Sequence, residues 1–147
     1  MNLTKKSSYG LIAAMELAQA DASEPRSAGH IAEQYDLSVS FIEKILHELR
    51  IAGLVGSKQG RGGGYYLAHR PSYISVRDVL EALGESLDLV GCLGADGHCG
   101  LTSFCPTQAA WRHIDLRFKR LLDSLSLETL LTPDLAPPGG EKTSPST

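Results

Sequence analysis

Long apolar runs are missing from this chain of 147 residues: no stretch approaches the roughly 18–20 apolar residues that a bilayer-spanning helix needs, so no membrane role is expected. Cysteine is scarce. Its three residues, an odd number, exclude a closed disulfide framework, and none stands in the CxxC spacing usual for small zinc modules. A general excess of base is lacking too. Lys and Arg number 14 against 17 Asp and Glu, a net charge of −3, which argues against a uniformly basic nucleic-acid binder. The one glycine run lacks the Lys and Ser/Thr that a phosphate loop places at the start of the following helix. No nucleophile is spaced against a base in a way that suggests catalysis, so the chain is not expected to be an enzyme. No internal repeat is present. With 42% hydrophobic and 21% charged residues, enough apolar material nevertheless remains for one ordinary domain or two very small ones.

The N-terminus imitates a signal peptide, with Lys5 and Lys6, an apolar stretch over 9–15 and Ala18-Gln19-Ala20. The stretch is minimal in length, contains Gly10 and is followed at once by Glu16, which fits a short amphipathic helix better. A cytoplasmic location, with reduced thiols, is therefore expected.

Charge is distributed unevenly. Residues 44–77 carry six bases (Lys44, Arg50, Lys58, Arg61, Arg70, Arg77) against Glu48, a local net of +5, whereas residues 78–147 hold ten acids and five bases, a net of −5. Such asymmetry points to two different tasks.

The periodicity predicts a mainly α fold with a small β-hairpin. A first helix spans 4–20, capped by Thr4, with Tyr9, Ile12, Ala13 and Leu17 on one face. A second, opened by Ser27, spans 28–35. A third is capped by Ser38 or Ser40, the latter three residues before Glu43 as in a capping box. It buries Ile42, Ile45, Leu46 and Leu49 and stops at Gly53. Two short helices joined by a tight turn form a helix-turn-helix. Strands over 54–58 and 64–68 flank Gln59-Gly60-Arg61-Gly62-Gly63, whose glycines suit a tight hairpin, the wing of a winged helix. Ser75 caps a helix to Leu83, and a glycine-rich loop follows. From Pro106 a long helix repeats Trp111, Ile114, Phe118, Leu121 and Leu125 at intervals of 3 and 4, the a/d seam of a coiled coil, over about two heptads. The expected organisation is a winged helix-turn-helix domain over 1–83, a cysteine-rich loop over 84–105, the long helix and a final turn over 106–131, and a Pro/Gly/Ser-rich disordered tail over 132–147.

A helix entering the major groove meets base edges with its N-terminal residues. Here these are Ser38, Ser40, Glu43 and Lys44; the hydroxyls and Lys44 suit phosphates, and Glu43 suits a cytosine amino group. Lys58 and Arg61 at the wing tip suit the backbone or the minor groove. The same serines also serve as helix caps, Glu43 as their partner, and the bases as solvated surface. Cys92, Cys99 and Cys105 fall within 14 residues among glycines, whose backbone N–H groups approach cluster sulfurs, so an iron–sulfur centre is favoured over zinc. Four ligands are required, and His98, His113, Gln108 or Ser8 from a second copy are the candidates for the fourth.

Met1-Asn2-Leu3-Thr4-Lys5, residues 37–46, Gly53-Leu54-Val55 and Gly60-Arg61-Gly62-Gly63-Gly64-Tyr65, with the three-cysteine loop, resemble the Rrf2 family of winged-helix regulators over residues 1–131. The resemblance implies a homodimeric, cytosolic transcription regulator, a repressor, that binds a double-stranded DNA operator. It also implies a cluster on Cys92, Cys99 and Cys105, of the 2Fe–2S rather than the 4Fe–4S type, that senses iron, redox state or nitric oxide. Where some members carry a His three residues after the last cysteine, this chain has Gln108; where others use an Asp from the partner's first helix, it has Ser8. A cluster completed by Gln108, a small thiol or water is expected to be labile. A second reading is a cluster-free regulator that uses a thiol switch or binds a partner enzyme.

Overall fold

The computed structural model describes residues 3–93 and 105–132. It comprises α1 (Lys5–Gln19), α2 (Ala28–Gln34), α3 (Val39–Ile51), β1 (Val55–Lys58), β2 (Gly64–Leu67), a 3-10 turn (Pro71–Tyr73), α4 (Val76–Ala82), a second 3-10 turn (Gly91–Leu93), α5 (Gln108–Ser124) and α6 (Leu127–Leu131). Residues 94–104 and 133–147, which hold Cys99, His98 and the expected disordered tail, lie outside the described residues.

Local chemistry sets most helix starts. Thr4, Ser27, Ser38, Ser75 and Ser126 each accept a backbone N–H from the first turn of the helix that follows. At α4 the box is reciprocal, Asp78 accepting from the Ser75 N–H at 2.9 Å. For α3 the cap is Ser38, not Ser40: Ser40 lies inside the helix with its hydroxyl 2.9 Å from that of Ser38. The expected Ser40–Glu43 box is therefore absent, because the Ser38 backbone is already extended and starts the helix two residues earlier. Between α2 and α3 the chain turns through Asp36 at φ 52, a left-handed conformation that Asp tolerates better than most residues.

The stripe Ile42, Ile45, Leu46 and Leu49 is fully buried and meets Ala13, Ala14 and Leu17 of α1 and Ile31 of α2. Ile12, expected on the buried face of α1, is only half-buried; Ser7, Gly10 and Glu16 are buried instead. β1 and β2 pair antiparallel, Val55 opposite Leu67 and Lys58 opposite Gly64. The hairpin gains a one-residue third strand at Arg26, whose N–H donates to the Tyr65 carbonyl at 2.9 Å and whose carbonyl accepts from the Tyr65 N–H at 2.8 Å.

Beyond α5 the chain returns to the winged helix. The Val76 N–H donates to the Leu125 carbonyl and the Leu127 N–H to the Ile74 carbonyl, and Leu127 itself is fully buried in the main core. Burying one such leucine contributes about 1.5–3 kcal/mol. A second apolar cluster, Val76, Leu80 and Leu87 with Leu122 and Leu125, seats α5 against α4.

Candidate nucleic-acid interface and cysteine loop

Ser38, Ser40, Glu43 and Lys44 at the start of α3 are all exposed, as are Lys58 and Arg61 on the wing. Among the described residues no ion pair engages Lys44, Lys58 or Arg61. The six bases of residues 44–77 are not equivalent, however. Arg77 is held by Glu81 at 2.9 Å and Asp123 at 2.8 Å, joining α4 to α5, and both carboxylates raise its pKa. Arg50 leans on the Ser57 hydroxyl at 3.3 Å at the base of the hairpin. Lys44 on α3, Lys58 and Arg61 on the wing and Arg70 just after β2 are the remaining bases of this segment, all exposed, and no ion pair engages them among the described residues. His47 is also exposed on α3, one turn beyond Lys44 and two beyond Ser40.

The hairpin tip takes the shape that its glycines require, with Gly60 at φ 92 and Gly62 at φ 71. Glu16 of α1 lies buried between Arg26 and the end of α2. This carboxylate is 2% exposed and accepts from Arg26 Nη1 at 2.6 Å, Gln34 Nε2 at 3.3 Å and the Tyr35 hydroxyl. The hydrogen bond to Glu16 raises the Tyr35 pKa.

Of the three cysteines, Cys92 lies in the second 3-10 turn and Cys105 just before α5; both are free thiols and partly exposed. The Thr107 hydroxyl, 3.3 Å from the Cys105 sulfur, and the backbone N–H groups of Thr107 and Gln108 hold this thiol below its ordinary pKa of 9.0. Thiols are ligands suited to iron, so Cys92 and Cys105 fit the expected group by donor type. Gln108 is half-buried as the first residue of α5, His113 is exposed further along it, and Ser8 is exposed on α1. The described residues bring no three Cys, His, Asp or Glu side chains together as ligands.

The root of the cysteine loop is fastened at two points. Glu85 accepts hydroxyl hydrogen bonds from Ser7 and Thr4 of the α1 start, which depress its pKa. The Leu89 N–H donates to Asp115 of α5 at 3.1 Å, and Lys119 bridges Asp88 at 2.7 Å and Asp115 at 2.9 Å. Burial works to raise the Asp115 pKa, but Lys119 and the Leu89 N–H outweigh it and the net shift is downward. On the outer side of α5, Trp111, Ile114 and Leu121 are 38%, 46% and 55% exposed. Nearby, Leu3, Leu11, Leu80, Phe118 and Leu122, with Ser8, line an apolar groove of about 390 Å³.

A helix-turn-helix followed by a basic, glycine-tipped hairpin defines a winged-helix DNA-binding regulator. The family model for Rrf2, an iron-dependent transcriptional regulator, matches residues 3–133, and the chain belongs to this family. It is 37% identical over 131 residues to the HTH-type transcriptional regulator IscR of Aliivibrio salmonicida, spanning 89% of this chain and 77% of that protein. Among solved structures it is similar to CymR, the global cysteine regulator of B. subtilis (31% identity, TM-score 0.71, 88% of this chain and 95% of that one). It is also similar to T. potens IscR (34% identity, TM-score 0.68, 89% and 86%). The chain is an Rrf2-type transcriptional regulator, a family of non-enzymes, and no helix among the described residues is long and apolar enough to cross a membrane.

Proposed function

We propose that this regulator binds a duplex-DNA operator as a homodimer, acts as a repressor, and couples that binding to an iron–sulfur cluster held by Cys92, Cys99 and Cys105. Ser38, Ser40, Glu43 and Lys44 contact the major groove, and Lys58 and Arg61 the flanking backbone or minor groove. The exposed seam of Trp111, Ile114 and Leu121 supports pairing of α5 with a second copy. The observation that carries the coupling is the seating of the cysteine loop on α5: Leu89 and Asp88 are held by Asp115 and Lys119 at one end, and Cys105 leads directly into the helix at the other.

A bound cluster, of the 2Fe–2S type in our reading, supplies a centre sensitive to iron supply, oxidants or nitric oxide. The chain's own residues convert a change there into geometry. Rearranged loop ends shift α5 relative to α4, and hence the spacing of two recognition helices that must meet half-sites about one helical turn apart. A differential affinity of about 1–3 kcal/mol is enough for a switch. The test compares native protein with a variant in which all three cysteines are alanine, on a duplex selected by the native protein from a random-sequence pool. Affinities differing by about 5- to 150-fold are expected; identical affinities would refute the coupling. One second reading, a cluster-free thiol switch, is supported by the likeness to CymR, which in Staphylococcus aureus has been solved in an oxidized form. In that reading, oxidant alters operator affinity in protein that carries no iron.

A further inference from the structure

Glu16 is a buried charge that neither the α3 surface nor the cysteine loop uses directly. A carboxylate is costly to bury unless it is paired and hydrogen-bonded, and here three donors from outside its own helix converge on it. They come from two different parts of the DNA-facing surface. Arg26 belongs to the wing: its main chain bonds Tyr65 in both directions, as the third strand of the hairpin. Tyr35 and Gln34 belong to the end of α2, where the helix-turn-helix turns through Asp36 into α3. The Arg26 Nη1 reaches Glu16 Oε2 at 2.6 Å, while the Gln34 amide and the Tyr35 hydroxyl share Oε1.

We propose that Glu16 is a positioning residue for DNA binding: one buried carboxylate fixes the wing, through Arg26, relative to the helix-turn-helix turn, through Tyr35 and Gln34. Arg61 and the start of α3 are thereby held at the separation a duplex requires. Backbone geometry makes the link to the wing stiff. Gly64, beside Tyr65, approaches Arg26 so closely that a Cβ there would lie 2.5 Å from the Arg26 carbonyl carbon, so Arg26 and β2 move together. Tyr35 is 40% exposed, and its hydroxyl nonetheless turns inward to the carboxylate, which ties a surface side chain of the turn to the α1 scaffold. The inference rests on the reading of Arg61 and α3 as DNA contacts.

The test is a double-mutant cycle on the duplex selected from the random-sequence pool, with Glu16→Gln and Tyr35→Phe each made alone and together with Arg61→Ala. Arg61→Ala is expected to weaken binding about 10-fold in the native background, and less than about 3-fold beside Glu16→Gln, because a displaced wing no longer delivers Arg61. Amide hydrogen exchange supplies a second readout. In Glu16→Gln the Tyr35 and Leu37 amides at the turn after α2 exchange faster, while the Arg26–Tyr65 pair and the β1–β2 ladder, which move as one unit, keep their protection. Tyr35→Phe removes one hydroxyl from a half-exposed ring and shifts both readouts in the same direction by less; should Glu16→Gln fail to fold, this variant decides by the same criterion. An undiminished Arg61→Ala effect in both backgrounds overturns the positioning role while leaving the wing reading intact. An Arg61→Ala protein that binds as tightly as native overturns the wing reading, and the positioning role falls with it.

Discussion

Replacing Gly64 by alanine strikes the junction between wing and helix-turn-helix at a point where nothing can give way. Gly64 has φ 153, and an added Cβ would lie 2.5 Å from the Arg26 carbonyl carbon, 2.6 Å from its oxygen and 2.9 Å from the Ser27 nitrogen. All three are backbone atoms, locked by the paired Arg26 and Tyr65 hydrogen bonds of 2.9 and 2.8 Å. The chain must part here. Two hydrogen bonds lost at a net cost of about 1 kcal/mol each, with residual strain of about 1–3 kcal/mol less about 0.4–1 kcal/mol from the stiffer unfolded chain, leave roughly 2–4.6 kcal/mol. For a chain of this size that lowers Tm by roughly 6–15 °C. Thermal unfolding followed by circular dichroism reads the loss. Gly29→Ala is the control: it lies in α2, its Cβ would meet only the Ser27 hydroxyl at 3.9 Å, and helix propensity predicts a neutral or slightly stabilised protein, by at most about 1 kcal/mol. A Gly64→Ala protein melting within about 2 °C of native would refute the close-approach argument.

Other perturbations reach the remaining parts of the account. Arg61→Ala should lower the salt dependence of duplex binding by about one unit of log–log slope for each wing engaged, measured by titration across salt concentrations; an unchanged slope contradicts a phosphate contact. Ile114→Lys with Leu121→Lys places charge on two seam positions that are about half exposed in the single chain, so it should convert dimer to folded monomer in sedimentation; a dimer that persists contradicts the seam. Glu85 is held below its ordinary pKa of 4.5, chiefly by the Ser7 hydroxyl and then by Thr4. A depressed folded-state pKa stabilises the protein above the unfolded value and loses that contribution as pH falls through the folded one. Native protein should therefore melt above Glu85→Gln near neutrality, the two converging below about pH 4.5; a gap that does not change with pH contradicts the assignment.

Short-range chemistry was the legible part of this chain. Serine caps three residues ahead of an N–H, the buried stripe of α3 and the glycine-flanked wing each depend on neighbours a few residues apart, and the helix-turn-helix with its hairpin follows from them. The sequence does not choose between Ser38 and Ser40 as the cap of α3, because both spacings are compatible with capping and only the extended backbone of Ser38 decides. What escaped sequence reasoning depends on distant partners. Glu16 serves only to interrupt an apolar run until Arg26, Gln34 and Tyr35 are brought around it. Asp115 sits off the apolar seam yet is 8% exposed, because the Leu89 N–H and Lys119 enclose it. Arg77 counts toward a basic segment but is occupied by Asp123, 46 residues away. The seam of α5 is plain in the sequence, but only Trp111, Ile114 and Leu121 of it are exposed; Phe118 and Leu125 are half-buried within the chain.

The most direct test of the central claim is anaerobic purification of the native protein, followed by its visible absorption spectrum and its iron and sulfide content per chain. Coloured protein with about 2 irons and 2 sulfides per chain is expected, both lost when Cys92, Cys99 and Cys105 are replaced by alanine. About 4 irons would contradict the 2Fe–2S assignment while keeping the cluster, and a colourless protein that takes up no iron even on reconstitution would contradict the cluster itself.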